Sequence, residues 1–181
     1  MRNRGTRVRN QAGHVAISCC IMLCVLLSCQ NRDVSDTSST ASINQRSYRL
    51  GGIGAFAEMV GAGVKKLALS AAMPEAEMDA LFDEAKAIAE SNGAEVYLEA
   101  DFLVTDLFPA EITEGMQVLL IYKGRTKQEY MDLKERKRLL VEGGNYEGDA
   151  RAEIAREMGR LLSYPEEKIT SLLTSQQSES S

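Results

Sequence analysis

Between Pro74 and Phe102 the spacing of apolar residues changes at a single glycine, and this change constrains the fold more than any other feature of the chain. Met78, Leu81, Phe82, Ala85, Ile88 and Ala89 recur at i, i+3, i+4 and i+7, the period of a helix with one buried stripe. Pro74 suits the first helical position. Gly93 suits the residue just past the helix end, where a left-handed backbone closes the last turn. Beyond Gly93 the period falls to two. Val96, Leu98, Ala100 and Phe102 alternate with Glu95, Tyr97, Glu99 and Asp101, which predicts a strand with one face on a core and the other in water.

The flanking segments extend this pattern. Ile53, Phe56 and Val60 fall at helical spacing, and Gly61 and Gly63 end that helix. Leu67, Leu69 and Ala71 alternate as a strand, and residues 117 to 123 form a continuous apolar run that reads as a central strand. A long connection containing Pro109 and Gly115 joins the second strand to the third. Thr126-Lys-Gln-Glu129 reads as a capping box opening a helix to about Val141. Asp149 is placed to cap a helix carrying Ile154, Met158, Leu161 and Leu162. Ser163-Tyr-Pro-Glu166 reads as a second capping box before a short helix with Ile169, Leu172 and Leu173. The strand–helix–strand unit predicts a right-handed parallel crossover. The expected fold is α+β, with two layers: a three- or four-stranded mixed sheet and helices mainly on one face. Residues 47 to 50 are the candidate fourth strand.

The N-terminus reads differently. Arg2, Arg4, Arg7 and Arg9 precede an uncharged, almost wholly apolar run from Val15 to Ser28, the layout of a secretory signal. That run is shorter than the roughly 17 to 25 residues of a spanning helix. Leu26-Leu27-Ser28-Cys29 closes it and resembles the lipobox of bacterial lipoproteins. The resemblance covers residues 1 to 29. It implies acylation of the Cys29 sulfur, with palmitate-type chains, cleavage before Cys29, and a membrane anchor. Gln30, rather than Asp, implies an outer-membrane destination facing the periplasm. The other reading is an ordinary secretory signal in which Cys29 is incidental. The expected organisation is a leader over 1–28, a lipidated cysteine and flexible tether over 29–46, one domain over 47–174 and a disordered tail over 175–181. The polar tether would span roughly 20 to 25 Å as a coil.

Composition excludes several chemistries. His14 is the only histidine, and all four cysteines lie at or before Cys29; there is no tryptophan. Beyond residue 29 the chain therefore cannot build a Ser-His or Cys-His nucleophile or a Cys/His zinc site. No cofactor is expected, and oxygen-ligated calcium or magnesium is the most a metal site could be. Four of the 21 basic residues lie in the leader, leaving 17 against 26 acidic, a net of −9. That balance argues against a nucleic-acid partner.

Three patterns remain as candidate sites. Gly52-Ile-Gly54-Ala-Phe-Ala57 fits a loose dinucleotide motif, but without the acidic residue about 20 positions on that such a site uses; close helix packing explains it better. Tyr97, Glu99 and Asp101, with Glu95, put three carboxylates and a phenol on one strand face. They are candidate catalytic residues or ligands of a hard cation, with Asp106 as a further ligand, against the simpler reading of a solvated sheet face. Lys127, Lys134 and Arg138 fall on a similar side of one helix, where they could meet anionic lipid headgroups or an acidic partner. The simpler reading is an exposed helix held by ion pairs such as Glu135 with Arg138. Taken together, the sequence suggests a lipid-anchored envelope domain that acts as a binding or assembly module, with an envelope protein or anionic lipid headgroups as candidate partners. The alternative is a carboxylate-based enzyme, with or without a divalent cation, at the acidic strand face.

Overall fold

The computed structural model describes residues 37 to 179 other than 109 to 113, with side chains from 45 to 175. The chain divides into two compact units at Thr40, and the elements that carry the fold belong to the second, Ala41–Ser181. Five helices and three strands follow in the order α1 (Thr37–Gly61), β1 (Leu67–Leu69), α2 (Glu75–Ser91), β2 (Glu95–Glu99), β3 (Val118–Tyr122), α3 (Thr126–Glu142), α4 (Gly148–Leu161) and α5 (Glu166–Glu179). The class is α+β, as expected from the sequence.

The sheet differs from the expectation in its pairing. It has three strands in the order β1-β3-β2, with β3 antiparallel to both neighbours. β1 and β2 therefore run the same way, as a strand–helix–strand crossover requires, but β3 lies between them. The sheet is antiparallel rather than mixed, and residues 47 to 50 belong to α1. Helices cover both faces, not mainly one. The cause is β3 itself: Val118-Leu-Leu-Ile-Tyr122 is buried at every position, so apolar side chains leave on both sides and each side needs a cover.

One face rests on α1 and α2. Leu119 and Ile121 of β3 and Ala68 of β1 pack there with Ile53, Ala57, Val60, Met78, Leu81, Ala85 and Ala89. Of the loose motif, Gly54 and Ala57 serve this packing, while Gly52 and Ala55 are exposed. A Cβ at Gly54 would sit 3.5 Å from Ile88, whereas one at Gly61 would stand 1.8 Å from the carbonyl oxygen of Asn92. Arg46 reaches Glu84 at 2.5 Å, and Arg49 reaches Glu77, which ties the first half of α1 to α2. Helix also occupies residues 37 to 46, read from composition as tether. The other face rests on α3, α4 and α5 through Leu67, Val118, Leu120 and Tyr122, with Tyr130, Leu133, Ile154, Met158 and Ile169.

Helix ends divide into two groups. The C-termini of α1, α2 and α3 follow the glycine rule. Gly93 (φ 71) donates to Glu90 and Ala94 donates to Ala89, and Gly63 (φ 77) closes α1 in the same way. The N-termini do not use the expected caps. Pro74 is the cap residue of α2, one position earlier than read. No side-chain bond caps α3 or α4; Thr126 lies inside its helix and its hydroxyl donates to the Lys123 carbonyl, while Asp149 sits in the first turn of α4. Ser163 adopts a left-handed backbone (φ 60) at the end of α4 instead of capping α5. Helix α5 continues to Glu179, through much of the segment read as a disordered tail.

Candidate functional site

The acidic face of β2 is covered only in part: α3 lies across Tyr97 and Glu99, while Glu95 and Asp101 stay exposed. The Tyr97 ring sits beneath the Lys127 ammonium, 4.0 Å from its centroid. Glu99 is 4 % exposed. Its Oε1 accepts from Lys134 Nζ at 3.1 Å and from the Asp101 backbone N–H at 2.9 Å. Oε2 is buried with no hydrogen-bond partner among the described residues. Lys134 also pairs with the Asp101 carboxylate at 3.0 Å and donates to the Asp101 carbonyl. Burial opposes the Lys134 charge, yet the bonds to Asp101 and Glu99 outweigh it and hold the ammonium above its ordinary pKa. Glu95 stands apart at the other end of the strand, accepting from the Tyr122 hydroxyl at 3.4 Å.

This arrangement anchors the connection that follows β2. The Leu103 N–H donates to the buried Tyr130 hydroxyl at 2.9 Å, and Lys137 donates to the Val104 carbonyl at 2.7 Å. Burial pushes the Tyr130 phenol far above its usual value, and the Glu99 and Asp101 charges add to the effect. Asp106, the further candidate ligand, is held by the Arg151 guanidinium at 2.8 and 2.9 Å. Among the described residues no three His, Cys, Asp or Glu side chains form a metal-holding group.

The basic helix is equally engaged. Lys127 and Lys134 face β2. Arg138 pairs with Glu135 at 2.6 Å, as the spacing suggested, and with Glu142. Lys134, read from sequence as exposed, has a side chain only 27 % accessible. The structure thus brings together Tyr97 with Lys127, and Glu99 and Asp101 with Lys134, and leaves Arg138 to its own helix. Cys29 lies outside the described residues.

A different place has the shape of a binding site. β1 is an edge strand, and its pairing with β3 slips at one point. Ser70 donates its N–H to the Leu119 carbonyl at 3.0 Å and Met73 bridges Gln117, so Ala71 and Ala72 together oppose Val118. Two residues against one is a bulge. Because both are alanines, the bulge leaves space under the sheet edge. A half-open cavity of about 300 Å³ lies there, walled by Phe56, Leu69, Phe102, Phe108, Leu162 and Tyr164. Its polar groups are few. The Ser70 hydroxyl donates to the Ala71 carbonyl at 2.8 Å and accepts from the Leu119 N–H at 2.9 Å. Lys65 Nζ donates to the Leu162 carbonyl at 2.9 Å and lies 5.3 Å from the Tyr164 ring centroid. The turn beside it is fixed by the Ser163 hydroxyl, which accepts from the Lys66 N–H at 2.9 Å.

No family model matches the chain, and neither does any curated protein or solved structure.

The cavity was not read from the sequence. The signal for it is the Ala71-Ala72 pair, which interrupts the Leu67, Leu69 alternation with side chains too small to fill the strand edge. Phe56, Phe102, Phe108, Leu162 and Tyr164 come from three separate segments, so no local pattern joins them. Among the described residues no helix is long and apolar enough to cross a membrane.

Proposed function

We propose that the protein is a binding module held at the cell envelope, with the cavity beside β1 as its ligand site. The observation that carries this reading is a half-open apolar cavity of about 300 Å³ with four aromatic rings in its wall. That volume is at the small end of ligand pockets, which run from about 300 to 1,000 Å³. The envelope location rests on the resemblance of Leu26-Leu27-Ser28-Cys29 to a lipobox, with acyl chains on Cys29 as the contact with an outer membrane. The enzyme alternative loses its main support, because Glu99 and Asp101 share one ammonium and Glu99 is shut away from solvent. Anionic headgroups are a weaker candidate partner for α3, because Lys134 and Arg138 already meet carboxylates within the fold.

Two measurements test this. A photo-crosslinking side chain at the exposed Ala71 should give a discrete adduct in cells, and the same group at Lys168, away from the cavity, should not. The same pattern at both positions counts against the ligand site. Fatty-acid labelling should mark the wild-type chain and spare Cys29→Ala. Equal label on both would remove the anchor.

A further inference from the structure

We propose that the cavity binds an anionic amphiphile of the fatty-acid class: a single apolar chain ending in one carboxylate, which pairs with Lys65. This rests on the cavity being the ligand site and specifies its ligand. The walls supply the chain specificity. Phe56, Leu69, Phe102, Phe108 and Leu162 offer no hydrogen bonds from their side chains, so a sugar or nucleotide would lose its hydration there without replacement. The Ser70 hydroxyl is already committed as both donor and acceptor within the strand edge.

Lys65 supplies the head-group specificity, since it alone among the lining residues carries a charge. Like Lys137, which donates to the Val104 carbonyl and lies over the Tyr146 ring, Lys65 meets a carbonyl oxygen and a ring face rather than a carboxylate; unlike Lys137, it lines the cavity. An ammonium has three donors. The Leu162 carbonyl takes one, so the others remain for an anionic oxygen, and the Tyr164 face holds the cation in place. The ammonium is also positioned by a rigid corner, because Ser163 fixes the neighbouring Lys66 backbone. One cation, with the Ser70 and Tyr164 hydroxyls as the only other polar side-chain groups among the lining residues, matches a ligand with one small anion, rather than a polyphosphate. The half-open cavity of about 300 Å³, at the small end of ligand pockets, suits a single medium-length chain rather than a multi-chain lipid.

The test uses the full-length chain in phospholipid nanodiscs, with a ten-carbon fatty acid carrying a diazirine at its tail and the matching primary alcohol. Labelled residues are mapped by mass spectrometry, so partition into lipid does not count as binding. The acid should label Phe56, Leu69 or Phe108 about tenfold more efficiently than the alcohol. Lys65→Gln, which keeps a donor for the Leu162 carbonyl but not the charge, should bring acid and alcohol level; Lys65→Arg should preserve the preference. Ala72→Phe, with its melting temperature checked against wild type, should abolish both labels by filling the cavity. Equal labelling by acid and alcohol in the wild type overturns the proposal, as does an acid preference that survives Lys65→Gln or label that survives in Ala72→Phe. An adduct at Ala71 in cells together with no label from the acid would leave the binding module standing and refute this ligand alone.

Discussion

On the α1–α2 side the sheet meets its helices through small side chains, whereas on the α3–α5 side it meets them through aromatic rings and buried charge. Ala57, Ala68, Ala85 and Ala89 let α1 and α2 come close, and the ion pairs of that side, Arg46–Glu84 and Arg49–Glu77, lie at its rim. Across the sheet, Tyr130, Glu99, Thr105 and Thr126 are buried polar residues, all on or next to β2 and α3. A close-packed apolar face tolerates little change of volume. A face built around a buried charge tolerates little change of partner. The cavity lies at the edge where the second kind of packing gives out. Each side should therefore fail in its own way.

The largest effect is expected from Lys134→Glu. It removes the partner of a carboxylate that is 4 % exposed and places a like charge beside it. Breaking a buried pair costs about 3–5 kcal/mol, and urea unfolding should show a loss in that range. A loss below about 1 kcal/mol would mean that Glu99 finds another partner and that the two faces differ less than their burial suggests. On the opposite face, Gly61→Ala should cost about 2–3 kcal/mol, because its Cβ would collide with the Asn92 carbonyl, a backbone atom that cannot swing aside. The same substitution at Gly54, where 3.5 Å remains, should be close to neutral or slightly stabilising.

The two faces were also unequally legible. The α2 stripe and the Gly93 stop follow from local period and turn chemistry alone, and both are found where the sequence places them. The burial of Glu99 does not follow, because alternation along β2 says which residues share a face but not what will cover it. The clue lay in β3. Five consecutive apolar residues require cover on both sides, so the face bearing Glu99 could not stay open. The missing capping bonds at Thr126 and Ser163 show the same limit. Thr126 is drawn to the Lys123 carbonyl and Ser163 to the Lys66 N–H, the latter a partner in a distant segment.

Alkaline pH should separate the faces further. Tyr130 is held protonated in the fold well above the ordinary phenol value, chiefly by burial. Past about pH 10 the unfolded chain releases that proton while the folded chain keeps it, so stability falls as pH rises. Lys134 acts in the same direction: its raised pKa adds stability that is full below about pH 10.4 and is lost as pH climbs through the folded value. Lys137, lowered mainly by burial, opposes them. Tyr130→Phe should cost about 1–2 kcal/mol at pH 7 by stranding the Leu103 N–H, and should flatten the decline between pH 9 and 11. An unchanged slope would place the alkaline sensitivity elsewhere.

A small effect is the most discriminating for the corner beside the cavity. Ser163→Ala keeps the left-handed backbone and loses the bond to Lys66, so about 1 kcal/mol should be lost. Ser163→Gly also loses the bond but relieves the backbone, and should lie within about 0.5 kcal/mol of wild type. Thermal melts of the two variants side by side check the ordering.

The placement of β3 between β1 and β2 has a consequence for the chain as it is made. When the ribosome has delivered β1, α2 and β2, no two of those strands are neighbours in the final sheet, so no ladder can close. Every strand pairing waits for residues 118 to 122, across the long connection after β2. Non-local pairing of this kind is slow to form. A nascent chain of this design stays without a sheet through more than half of its synthesis, and α1 and α2 emerge before any strand can pair.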